Sequence, residues 1–140
     1  MAYGEGADPR NATLKASTTV SGPGYLLTND STNNTLDLTA VSEIAIGVSA
    51  GESSRDANLD YETTGATVAY YPLGGMLMVA ATASQTWTTG ATVYIASSGL
   101  ATTSSGSSAK KLGLYVGEGQ TTSSANGDLI PVMTAGAEIA

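Results

Sequence analysis

Apolar and polar residues alternate with a period of two over much of the chain, most clearly between residues 86 and 118. Around Val93-Tyr94-Ile95 the alternation puts Val93 and Ile95 on one face and Thr92 and Tyr94 on the other, as in a half-buried strand. Ser98-Gly99 admits positive φ, so the chain is expected to reverse there and lay residues 100–103 back against residues 92–96. Leu112, Leu114 and Val116 repeat the alternation, with Gly113 and Gly117 on the opposite face. Within residues 66–83, Val68, Ala69, Tyr70 and Tyr71 lead into Pro72-Leu73-Gly74-Gly75 and then Met76-Leu77-Met78-Val79-Ala80. Pro72 cannot donate to a ladder and marks an edge or a turn. Residues 76–80 are apolar on both faces, which fits a strand covered on two sides by a barrel interior or by a subunit interface.

The remaining elements are shorter. Leu36 with Leu38, and Ile44 with Ile46 and Val48, alternate, whereas Leu38, Val41 and Ala45 fit helical spacing. Two short strands joined by a turn or one helical turn are expected there. Asn126-Gly127-Asp128 signals a turn ahead of a last strand over residues 129–133, placed at a sheet edge by Pro131. Residues 104–108 and 121–126 read as flexible tips. Seven or eight short strands with turns every eight to twelve residues make an all-β domain, a small barrel or sandwich, over residues 28–140. Residues 1–27 carry sparse apolar side chains without period, broken by Gly4, Gly6, Pro9, Gly22, Pro23 and Gly24. They read as an extended N-terminal arm, either a loose terminus or a segment that orders on a partner through Tyr3, Tyr25 and Leu26.

Composition narrows what such a domain does. The 140 residues include five Lys and Arg against twelve Asp and Glu, a net charge of −7. Only Lys110 and Lys111 are adjacent, so neither nucleic acid nor an anionic membrane surface is expected as a partner. Charged residues are 12% of the chain, about half the usual share; Thr, Ser and Asn supply the polarity. Cysteine and histidine are absent, which removes disulfides, thiolate metal sites, the usual general base and the near-neutral pH switch. The N-terminus shows neither the basic nor the apolar region of a secretory signal.

No catalytic constellation emerges, and neither an enzyme nor a cofactor is expected. Lys110 and Lys111 follow a Ser-rich run that reads as mobile, whereas a catalytic lysine needs an ordered, desolvated pocket. Glu52, Asp56, Asp60 and Glu62 lie in one polar loop with Arg55. Their spacing is not that of a calcium-binding EF-hand, and no aromatic platform accompanies them. Gly113 to Gly119 lacks the Lys-Ser/Thr ending of a phosphate-binding loop.

Several segments in order bear a likeness to a known family: Ala45-Ile-Gly-Val-Ser49, Val68-Ala-Tyr-Tyr-Pro-Leu-Gly-Gly75, Trp87-Thr-Thr-Gly-Ala-Thr-Val-Tyr94, Gly99-Leu-Ala-Thr-Thr103, Lys111-Leu-Gly-Leu-Tyr-Val116 and Asp128-Leu-Ile-Pro-Val132. Spanning roughly residues 36–134, they resemble the head decoration, or capsid cement, proteins of tailed bacteriophages. The resemblance implies a β-rich virion protein on the outer surface of an icosahedral head. It further implies the major capsid protein as partner, self-association as a homotrimer on the shell, and stabilisation by clamping neighbouring capsid subunits. On that reading Tyr3, Arg10, Lys15, Tyr25 and Leu26 are expected to face the capsid, and Tyr70, Met76 and Met78 to meet other copies. Two alternatives remain at this stage. One is a carbohydrate- or host-binding module, which would display Tyr or Trp in a groove; the other is a self-assembling surface-layer or pilin-like repeat.

Overall fold

The computed structural model describes residues 8–30, 34–106 and 108–138. It is almost entirely β, with twelve strands among the described residues and one short 3-10 turn. Five strands close a barrel in the order β10-β12-β6-β9-β8: β6 (Met76–Ala81), β8 (Thr92–Ile95), β9 (Ala101–Thr102), β10 (Lys111–Tyr115) and β12 (Asp128–Met133). A five-stranded sheet runs β1-β5-β4-β2-β3, from β1 (Arg10–Thr13), β2 (Leu26–Asp30), β3 (Thr35–Leu38), β4 (Gly47–Ser49) and β5 (Thr67–Pro72). Its two edges meet at a parallel bridge between Leu14 and Leu36, so this sheet also curls nearly shut. A two-stranded ribbon joins β7 (Gln85–Thr88) to β11 (Gln120–Ser123).

Two cores result, and one sheet is shared between them. Leu26 and Val48 belong to the barrel core with Leu77, Val79, Trp87, Val93, Ile95, Leu112, Tyr115, Ile130 and Val132. Leu27, next to Leu26 and therefore on the opposite face, belongs to the second core with Leu14, Val20, Leu36, Ala66 and Val68. Tyr71 packs on the first core and Tyr70 on the second. Trp87 is fully buried; its indole N–H donates to Ser123 Oγ at 3.0 Å and its ring centroid lies 6.1 Å from that of Tyr115.

The expected reversal at residues 98–99 is present. The 3-10 turn Ser97–Gly99 has Ser98 at φ 59 and Gly99 at φ 71, and β9 returns on β8 with Ala101 opposite Ile95. Four expectations are corrected. The segment read as an arm is packed from Arg10 onward: β1 pairs with β5 from Arg10↔Tyr70 to Thr13↔Thr67, and Leu14, Val20 and Leu26 are core residues. Pro131 sits in a central strand, not at an edge. Its carbonyl accepts from Val116 N–H at 3.1 Å, so its nitrogen faces the point where β10–β12 pairing has ended, and little is lost. Residues 120–123, expected within or beside a flexible tip, form β11 against β7. Finally, the alternation in β10 breaks at a bulge between Lys111 and Gly113. Leu112 and Tyr115 therefore point inward, while Leu114 and Val116 point out.

Candidate interaction surface

The bulge in β10 creates the outstanding surface feature of the molecule. In β6, Leu77, Val79 and Ala81 enter the barrel, which leaves Met76, Met78 and Ala80 outside. In β12, Ile130 and Val132 enter, which leaves Leu129, Pro131 and Met133 outside. Pairing stacks these outer residues in rows: Leu114 opposite Met133 opposite Met76, then Pro131 opposite Met78, then Leu129 opposite Ala80. The last row is covered by the chain itself. Gly24 accepts from Ala80 N–H at 2.7 Å, and its bare Cα lies so close that a Cβ there would come 2.8 Å from the Ala80 nitrogen. Among the described residues no comparable backbone contact covers the first two rows, and Val116 adjoins them through its bond to Pro131. They form an apolar wall.

A groove of about 370 Å³ adjoins the wall, lined by residues 44–46, 72–74, Thr134, Ala135 and Ala137. Thr134 fixes the shared rim. Its hydroxyl donates to Gly75 O at 2.7 Å and accepts from Gly74 N–H at 3.0 Å, while its own N–H donates to Gly75 O at 2.9 Å. Six large hydrophobic side chains are exposed among the described residues, and four lie on this wall or in this groove: Leu114 (40%), Met133, Val116 and Ile46 (38% each). Scattered apolar exposure is ordinary; apolar side chains gathered on one face make that face the leading candidate for contact. No side chain of wall or groove carries a charge.

Several charged groups away from this face are held by local partners. Glu52 accepts from Arg55 at 3.0 and 3.1 Å and from the Tyr61 hydroxyl at 3.0 Å, with the Arg55 guanidinium 3.9 Å from the centre of the Tyr61 ring. The bond from Arg55, then that from Tyr61, holds the Glu52 carboxyl below its usual range. Asp56 accepts from the backbone N–H groups of Asn58 and Asp60 within its own turn. Among the described residues no three acidic groups come together as a metal cage. The Asp128 carboxyl is held low by N–H donors from Ala125 and Ser124, which tie off the turn before β12.

Of the residues expected at contacts, Met76 and Met78 lie half-buried on the wall. Tyr70 does not join them; it packs on the second core with its ring against the Gly47 backbone. Tyr3 lies outside the described residues. Arg10 and Lys15 are exposed, and Lys15 Nζ stands 3.8 Å from Asp37. Tyr25 is half-buried against the second core, and Leu26 is fully buried, so it cannot face a partner. Leu114, Val116, Met133 and the groove were not singled out from sequence, because their exposure depends on the bulge and on cross-strand register. The aromatic groove of a carbohydrate module has no counterpart in Trp87, which is internal. No protein-family model matches the chain, and no curated protein matches it.

Proposed function

We propose that the protein is a structural virion protein, a decoration or cement protein that binds the outer surface of an icosahedral phage head through protein–protein contact. The observation that carries this reading is the neutral apolar face on an otherwise acidic, hydroxyl-rich β-protein. Such a face is solvated at a cost and is relieved by being covered. The resemblance of the ordered strand segments to head decoration proteins supplies the shell as the setting. Met76 and Met78, with the rest of the wall, meet neighbouring copies, while Arg10, and Lys15 beside Asp37, are exposed basic residues at the five-stranded sheet that face capsid subunits. Binding across a boundary between subunits stabilises the assembled shell by mass action, since separated subunits offer less surface. Several simultaneous contacts add avidity.

The test is to incubate the purified chain with undecorated heads and count copies bound per head by mass. Saturable binding at a copy number set by shell symmetry supports the reading, and absence of binding at micromolar concentrations refutes it. Glycan-array binding without head binding would instead support a host-surface module.

A further inference from the structure

We infer that Asn126-Gly127 is a modification site of this chain: Asn126 deamidates through a cyclic imide, and a clasp to residues 81 and 83 withholds the reaction while the barrel is closed. The chain has six asparagines, and Asn126 alone precedes a glycine. With no Cβ on that next residue, nothing crowds the approach of its backbone nitrogen to the Asn126 side-chain carbonyl carbon. In the reaction the Gly127 nitrogen bonds to Asn126 Cγ, and ammonia leaves carrying the nitrogen's proton. Water then opens the five-membered imide. Opening at one carbonyl gives aspartate; opening at the other gives isoaspartate, in which the main chain runs through the former side chain. Water is the only co-reactant.

Asn126 is exposed, so solvent reaches it. Both reacting groups are nevertheless held by one stretch of backbone. Asn126 Oδ1 accepts from Ala83 N–H at 2.8 Å, and Gly127 N–H donates to Ala81 O at 2.9 Å. Gly127 sits at φ 98, and a Cβ there would come 3.0 Å from the Tyr25 hydroxyl, so Tyr25 covers one side of it. Asp128 pins the turn a second time, its Oδ2 accepting from Ser124 N–H and Ala125 N–H. Cyclisation requires Gly127 N to release its proton and swing onto Cγ, which breaks the bond to Ala81 and pulls Oδ1 from Ala83. The rate therefore follows the opening of this turn and not solvent exposure.

The two products differ in consequence. Aspartate keeps an oxygen for Ala83 N–H and adds one charge near Asp128. Isoaspartate lengthens the main chain by a methylene just before β12 begins its pairing with β6 at Asp128↔Ala81. Both strands belong to the closed barrel, so this product loosens it irreversibly.

Time courses at mildly alkaline pH, on the folded full chain and on the chain unfolded in guanidinium, test this by peptide mass mapping with isoaspartyl methyltransferase labelling. In the unfolded chain Asn126 should convert first of the six asparagines. In the folded chain it should convert at least about tenfold more slowly. Ala83→Pro removes a clasping N–H outside the reacting pair and should raise the folded rate severalfold. Should that variant fail to fold, Asp128→Ala, which frees the other anchor, takes its place. Chain aged to isoaspartate should melt below Asn126→Asp. Equal rates in folded and unfolded chain overturn the inference, as does another asparagine reacting first when unfolded. So does a folded, unclasped variant with the wild-type rate, or isoaspartate chain that melts with Asn126→Asp.

Discussion

Gly113→Ala is the sharpest test of how the sequence builds the exposed wall. A Cβ at Gly113 would fall inside the van der Waals surface of the Met133 carbonyl oxygen and 2.9 Å from its carbonyl carbon, with Thr134 Cα at 3.2 Å. All three are backbone, so no rotamer change relieves the clash. Restoring the roughly 3.5 Å of touching carbon atoms requires β10 to move away from β12 by more than half an ångström. That movement strains the Leu114↔Met133 and Tyr115↔Val132 pairing and the Val116 bond to Pro131. Overpacking of this kind costs about 1–3 kcal/mol, and each weakened ladder bond adds up to about 1 kcal/mol. Against this, alanine gains about 0.4–1 kcal/mol by restricting the unfolded chain. The net expectation is a loss of about 2–4 kcal/mol, a large part of a typical domain's stability. The melting temperature should fall by roughly 6–15 °C. Gly51→Ala is the matched control, since a Cβ there meets nothing within 4 Å and its φ is not positive; it should be neutral or slightly stabilising. Urea titrations and thermal melts followed by circular dichroism provide the comparison. If Gly113→Ala melts with the Gly51→Ala control, the close passage of β10 over β12 is wrong, and with it the outward aim of Leu114.

Other consequences can be checked independently. Ser123→Ala should cost about 2–3 kcal/mol, because it strands the buried Trp87 N–H and removes the bond to Thr82 O. In a Trp87→Phe background the same change should cost at least about 1 kcal/mol less, and additive urea midpoints would contradict the pairing. Asp128 and Glu52 have carboxyl groups held below their usual ranges by hydrogen bonds. The unfolded chain therefore binds more protons than the folded one as pH falls through the carboxylate range. Their contribution is present above the unfolded pKa values and is lost with acidification towards the lowered folded ones. Asp128→Asn should flatten that acid limb in urea midpoints taken from pH 6 to pH 3, and an unchanged slope would argue against the capped turn. On exposure to peroxide, Met133 should form sulfoxide ahead of the less exposed Met76 and Met78; peptide mass mapping showing the opposite order would contradict the arrangement of the wall.

How far the sequence could be read depended on where each strand's partner lay. Val93 and Ile95 declare their face by alternation, and Ser98-Gly99 announces its turn, because both signals are local. The face of Leu114 was misjudged because the register shift in the β10–β8 pairing, like the close approach of the Met133 backbone to Gly113, arises from partners distant in sequence that local alternation does not reveal. Residues 10–27 lack period because Leu14 and Val20 each plug the second core singly, while β1 is mostly exposed and is held by backbone pairing. β11 has no large apolar residue at all; its order comes from β7 and from Ser123 beneath Trp87. Met76 and Met78 were legible as a doubly apolar strand. Their continuation through Met133 and Leu114 to the groove was not, since it is a product of register.

The most direct measurement is the number of copies retained per undecorated head for wild type and for a Leu114→Asp/Met133→Asp double variant, with both proteins first shown to be folded. Wild type should saturate the heads and raise the temperature at which they release DNA, and the double variant should do so only at concentrations at least about tenfold higher. Equal occupancy by the two proteins, or no occupancy by wild type, would contradict a protein that works through its apolar face.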